Sequence, residues 1–230
     1  MARILLIETS TAQLSTALAE DGAVTAFRIC GAPRMQAALT APFVQEVLAE
    51  KGLKVKDLDA VCVGRGPGSY TGLRVGVSTA KGLCFGAGLP LLSAGTLDVL
   101  VCEAHRLGVV PAGCHAIVPM VDARRMEVYA AVFSPDGRQL TETKPVIVEA
   151  GSFADLLAEG PVLFIGDGAL KCRTALPSPN AFFAEAFPTA MAMAPLAETA
   201  FHEKRFEDTA YFEPFYLKDF VATVSRKKLF

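Results

Sequence analysis

One order of local signals occurs twice along this chain: an apolar strand ending in a carboxylate, a short turn, a hairpin, a helix, a second strand and a glycine turn. In the first copy Ile4-Leu5-Leu6-Ile7 ends at Glu8 and is followed by the hydroxyl-rich turn Thr9-Ser10-Thr11. Strand-like runs Leu14 to Ala19 and Val24 to Cys30 flank Glu20-Asp21-Gly22, and Asp-Gly between two such runs signals a hairpin. The spacing predicts a helix over Met35 to Glu50. Leu39, Phe43 and Val47 recur every fourth position beside Val44 and Leu48, Gly52 stops the helix, and Pro42 should kink or stiffen it. A strand over Ala60 to Val63 runs into Gly64-Arg65-Gly66-Pro67-Gly68-Ser69, and a second helix follows from about Tyr70 to Phe85.

The second copy begins with Ala116 to Val121, ending in Asp122. A turn at Ala123-Arg124-Arg125, a strand over Glu127 to Phe133, the turn Pro135-Asp136-Gly137 and a strand over Lys144 to Glu149 complete its hairpin. Ser152 is placed to cap a short helix, with Asp155 at the capping-box position. A strand over Pro161 to Ile165 leads to Gly166-Asp167-Gly168, and a later helix is expected over Ala192 to Lys204. Each carboxylate stands about 14 or 15 positions before its turn glycine, Glu8 before Gly22 and Asp122 before Gly137. This repetition implies an internal duplication: an α/β chain of two similar domains facing a cleft. The expected division is 1–106 and 107–230, near the cluster of Gly108, Pro111 and Gly113, with the C-terminal segment free to pack back on the first domain.

Composition narrows the function classes. A chain of 230 residues with 52% hydrophobic positions supports such cores. Its formal net charge of −2 lacks the basic footprint of a protein that binds nucleic acid on its own. Six cysteines, none in a CxxC pair, read as reduced and mostly buried thiols. Four apolar residues between Arg3 and Glu8 are too few for a signal-peptide core, and the charge-free stretch from Gly82 to Leu97 is broken by glycines and Pro90. A cytoplasmic protein without membrane contact is expected. The histidines, His105, His115 and His202, form no HxxxH pair, and no GxSxG elbow or Cys–His nucleophile is visible. No catalytic residue and no metal site are expected.

Duplicated α/β domains with an acid at the end of each first strand resemble the actin–sugar kinase–Hsp70 superfamily, of RNase H-like type. That resemblance implies cleft acids at Glu8 and Asp122, and phosphate-binding turns at Gly64, Gly66, Gly166 and Gly168. Three residues argue for an idle cleft and no cofactor. Glu8 is longer than the aspartate of active members, Pro67 has no N–H to donate, and Asp167 puts a negative charge where a phosphate would sit. The competing reading is an active ATP-dependent small-molecule kinase or ATPase of the same superfamily.

A narrower resemblance rests on four motifs. Gly64-Arg65-Gly66-Pro67-Gly68-Ser69-Tyr70-Thr71-Gly72-Leu73-Arg74 is similar to the GRGPGSFTGLR signature of the TsaB (YeaZ) family. Ile7-Glu8-Thr9-Ser10-Thr11, Val121 to Tyr129, and Glu213-Pro214-Phe215-Tyr216-Leu217-Lys218 resemble the family's opening, its second-domain IDAR-x-x-EVY and its C-terminal EP-x-YLR. Glu8 departs from the family's aspartate, and Pro33-Arg34-Met35-Gln36 lacks a histidine often found before the first helix.

The resemblance implies a non-catalytic assembly subunit. Its partners would be a TsaD-like catalytic sister and a TsaE-like ATPase, with tRNA met only through the complex and a homodimer formed when alone. The reaction served would move a threonylcarbamoyl group from threonylcarbamoyl-AMP to N6 of adenosine 37 in tRNAs reading codons that begin with A. A partner surface is expected on the first two helices. Leu39, Phe43 and Val47 would supply an apolar band, and Gly72, Gly76 and Ala80 a side-chain-poor stripe on which another helix could dock. The tail Arg226-Lys227-Lys228 reads as a solvated basic end.

Overall fold

The computed structural model describes residues 2–217; the basic cluster at 226–228 and the Lys218 end of the last motif lie outside the described residues. The first half runs β1 (Arg3–Glu8), β2 (Leu14–Glu20), β3 (Ala23–Cys30), α1 (Gln36–Glu50), β4 (Ala60–Gly66), α2 (Tyr70–Ala87), β5 (Leu91–Gly95) and α3 (Thr96–Leu107). The second runs β6 (Ala116–Asp122), β7 (Glu127–Ala130), β8 (Lys144–Ile147), α4 (Ala154–Glu159), β9 (Val162–Ile165), α5 (Ala169–Cys172), β10 (Ala181–Ala184) and α6 (Ala194–His202).

Each half builds a five-stranded sheet of the same plan, ordered β3-β2-β1-β4-β5 and β10-β9-β6-β7-β8. In both, the first strand pairs antiparallel with the hairpin and parallel with the strand after the helix. The duplication is thus present in topology and register. Asp21 and Gly22 both take positive φ, 49° and 74°, the two-residue turn that matches the twist of β2 and β3.

The faces explain the sequence pattern. Leu5, Ile7, Val61 and Val63 pack under Val44, Val47 and Leu48 of α1 and Val77, Ala80 and Cys84 of α2. The opposite face, with Ile4, Leu6, Ala17 and Cys62, carries Val99 of α3 and Ala194, Ala197 and Ala200 of α6. Helix α3 turns Leu97, Leu100, Val101 and Ala104 to Ile117, Val121 and Phe133 of the second half. It is a shared wall between the sheets, so a division at residue 106 falls at the end of a helix that belongs to both cores.

Past α6 the chain returns to the first sheet. Glu207 bridges Leu91 with an N–H···O bond of 2.8 Å. Lys81 Nζ donates to the carbonyls of Ala210 at 3.1 Å and Phe212 at 2.9 Å, and the Phe215 N–H donates to Arg65 O at 2.7 Å. Two local expectations differ. Ser152 does not cap α4: its hydroxyl accepts the Glu149 N–H, and Phe153, at φ 59°, stands at the cap without a side-chain bond. The helix expected from Ala192 is a short 3-10 turn, Met191–Met193, before α6 begins.

Candidate functional site

The parallel strands β1, β4 and β5 end on one side of the first sheet, where Glu8, the turn after β4 and the start of α3 meet. In α/β sheets ligands bind outside the carboxyl ends of such strands. The candidate residues of the first half do come together there, and they face each other rather than an open cleft. Glu8 is fully buried. Its Oε1 accepts the Ser10 N–H at 2.6 Å, while Oε2 is buried with no hydrogen-bond partner. Burial pushes its carboxyl above the ordinary value, against the hydrogen bonds from Ser10 and Thr9.

The glycines of the first turn are small because this chain fills the space itself. A Cβ on Gly64 would stand 2.9 Å from the Glu8 carboxyl carbon, and one on Gly66 would stand 2.9 Å from the carbonyl oxygen of Phe215. One on Gly68 would strike Ser10, whose carbonyl already accepts the Ser69 N–H at 2.6 Å. The second turn is built alike. Gly166 and Gly168 lie on the end of β6, where the Gly168 N–H donates to Met120 O at 3.0 Å and the Gly166 N–H to Ala184 O at 3.2 Å.

Asp122 is committed as well. Its side chain pairs with the Lys171 ammonium and accepts the Arg124 N–H at 2.8 Å, and its own N–H donates to Asp167 at 2.9 Å. Asp167 caps this arrangement, and burial, followed by the neighbouring Asp122, raises its carboxyl. The charge expected to repel a phosphate is therefore a structural acceptor. The spacing signal located both acids and both turns; their mutual occupation depends on contacts that spacing does not encode.

The expected partner surface needs correction. Gly72, Gly76, Ala80 and Val47 are buried within this chain. Gly72 and Gly76 rest on Thr9, whose hydroxyl donates to Gly72 O at 2.8 Å. Ala80 and Val47 belong to the core under α1 and α2. Leu39 and Phe43 stay half-exposed. The exposed side of α2 instead carries Ser78, Gly82, Phe85 and Gly86; Phe85 is 87% exposed, and a Cβ on Gly82 or Gly86 would meet only open space. Their signal was present in the glycine spacing, which does not say which side of the helix faces the sheet.

Two sheets of one topology, with helices on both sides and an acid ending each first strand, define an α/β protein of the actin–sugar kinase–Hsp70 class. Within that class the comparisons narrow to one group. Residues 32–225 match the family model described as "TsaD: tRNA N6-adenosine threonylcarbamoyltransferase". The chain is 31% identical over 240 residues to a Haemophilus influenzae tRNA threonylcarbamoyladenosine biosynthesis protein TsaB, covering 98% of this chain and 96% of that one. Against the Escherichia coli protein of the same name it is 40% identical over 135 residues, 58% of this chain and 56% of the other. The solved structure of YeaZ from Pseudomonas aeruginosa superposes with a TM-score of 0.82 at 26% identity, over 94% of this chain and all of that one. The chain belongs to the TsaB (YeaZ) family. Among the described residues no helix is long and apolar enough to cross a membrane.

Proposed function

We propose that this chain is a non-catalytic assembly subunit of the machinery that makes threonylcarbamoyladenosine in tRNA. In this reading it holds a TsaD-like sister in working form while threonylcarbamoyl passes from threonylcarbamoyl-AMP to N6 of adenosine 37 in tRNAs reading codons that begin with A. A TsaE-like ATPase joins the same assembly, and tRNA is met only through it. Residues 1–106 bind the partner, and residues 107–230 form the second domain.

The observation that carries the reading is the self-occupation of both glycine turns. Glu8, Ser10, Phe215 and Met120 press on the turn glycines from within this chain, and the Ser69, Gly166 and Gly168 N–H groups are already bonded to its own carbonyls. This favours a scaffold over the kinase reading, because a nucleotide would have to displace the protein's own backbone. The partner contact is assigned to the outward strip of the first two helices: Leu39 and Phe43 on α1, and Ser78, Gly82, Phe85 and Gly86 on α2. Exposed helix glycines cost about 1 kcal/mol each against alanine and let another helix approach closely. Without the sister, a second copy covers this strip as a homodimer.

The test is co-elution with the sister subunit from the same cell, followed by reconstituted tRNA modification. Gly82→Arg should keep a cooperative melt, abolish co-elution and remove modification activity. Light scattering should show the wild-type dimer lost in the same variant. Full activity and binding in Gly82→Arg would refute the surface. Tight ATP·Mg binding with turnover by the isolated chain, abolished by Asp122→Asn, would restore the kinase reading.

A further inference from the structure

A cavity beside the first glycine turn, with which it shares Arg65, opens where β4 and β5 end against α3, α6 and residues 205–207. It measures about 510 Å³, within the roughly 300–1,000 Å³ typical of small-ligand sites. Arg65, Ser93, Asp98, Leu196, Phe206 and Glu207 contribute to its lining. Its position outside the carboxyl ends of parallel strands is the place where α/β sheets hold ligands.

The charges inside are not all committed. Glu207 accepts the Ser93 hydroxyl at 2.5 Å, and Arg205, at the rim, pairs with Glu203 at 2.5 Å. Among the described residues, Arg65 and Asp98 have no other side chain bonded to them, although the Asp98 carboxylate also accepts its own backbone N–H. Both lie over Gly95, where a Cβ would crowd the Asp98 carboxylate and stand 3.8 Å from Arg65 Nε. Arg65 acts on Asp98 through space rather than through a hydrogen bond, and burial raises the Asp98 carboxyl despite that attraction. A guanidinium and an under-solvated carboxylate of opposite sign thus face one cavity side by side without closing on each other. Beside them Leu196 is half-buried and Phe206 is 45% exposed, giving an apolar wall.

We propose that this cavity binds a small zwitterion of the α-amino acid class, its carboxylate on Arg65, its ammonium on Asp98 and its side chain along Leu196 and Phe206. An α-amino acid carries both charges on adjacent atoms, as the neighbouring Arg65 and Asp98 require. A simple anion would leave Asp98 unpaired and repelled; a simple cation would do the same to Arg65. The site is independent of the partner-binding strip and of the reading built on it.

The test is ligand-observed NMR on the full chain with the standard L-amino acids, and with acetate, methylammonium and inorganic phosphate as single-charge probes. At least one amino acid should bind with a dissociation constant of about 1 mM or tighter, with the single-charge probes about tenfold weaker or more. Arg65→Gln and Asp98→Asn should each weaken binding about tenfold or more, since each removes a charge-assisted hydrogen bond. Thr199→Trp, from an exposed position on α6, should block the cavity without touching either charge; melting curves check that each variant folds. No amino acid bound at ten times that concentration, acetate or phosphate binding as tightly as the amino acid, or undiminished binding in a folded Asp98→Asn chain would each overturn the proposal.

Discussion

One methyl group added at Gly76 or at Gly82 should change stability in opposite directions, although both glycines lie in α2. The intrinsic gain is the same at each, about 0.8–1 kcal/mol for alanine over glycine in a helix interior. At Gly82 nothing in this chain lies within 4 Å of the new carbon, so Gly82→Ala should stabilise the monomer, measured at concentrations too dilute for the homodimer, by most of that amount. At Gly76 the carbon would collide with Thr9 Oγ1 and stand 3.4 Å from both Thr9 Cβ and Val63 Cγ2. Thr9 cannot turn aside freely, because its hydroxyl is buried and holds Gly72 O at 2.8 Å. Overpacking costs about 1–3 kcal/mol, and losing a buried hydrogen bond about 1–3 more if Thr9 rotates. Against the propensity gain, Gly76→Ala should cost about 0–2 kcal/mol if Thr9 holds its place and about 1–5 kcal/mol if Thr9 rotates. Urea unfolding followed by circular dichroism, with equal m-values in both variants, measures the pair directly. If Gly76→Ala gains stability as Gly82→Ala does, α2 does not press on Thr9 and the inward assignment of its glycine stripe is wrong.

Three further outcomes follow from the same packing. Ala80→Arg places an unpaired charge at a fully buried position and should leave the chain unfolded or aggregated in circular dichroism; a cooperative wild-type melt would contradict the core placement. Because burial raises Glu8, the folded state holds this proton more tightly than the unfolded state. Its contribution is therefore present below the ordinary value of 4.5 and lost as pH rises through the raised folded value. Glu8→Gln should accordingly raise Tm at neutral pH relative to wild type and converge with it in acid, and an unchanged pH profile would refute the raised carboxyl. Lys81→Ala removes the ammonium bonds to Ala210 O and Phe212 O and should cost about 1–2 kcal/mol, with faster amide exchange confined to residues 207–215; unaltered exchange there would show that Lys81 does not hold the returning segment.

The duplicated framework was legible because its signals are local. Alternating apolar strands, Asp21-Gly22 and the four-residue spacing on α1 each depend on near neighbours. The elements that escaped notice obey longer-range demands. Helix α3 is covered on two sides by two sheets, and its cap residue, Gly95, offers no side chain to announce a start. The segment after α6 owes its course to Lys81, Leu91 and Arg65, which are remote in sequence. The glycine turns show the same limit at the level of function. Gly64, Gly66, Gly166 and Gly168 resemble turns that leave space for phosphate in a cleft that Glu8, Pro67 and Asp167 mark as idle, and glycine at a turn does mean that something approaches closely. The sequence cannot say whether the approaching atoms belong to a ligand or to the chain. Here Glu8, Phe215 and Met120 make the approach. The same glycine pattern therefore serves packing within one chain as readily as the approach of a phosphate, and only the contacts around Gly64, Gly66, Gly166 and Gly168 tell the two apart.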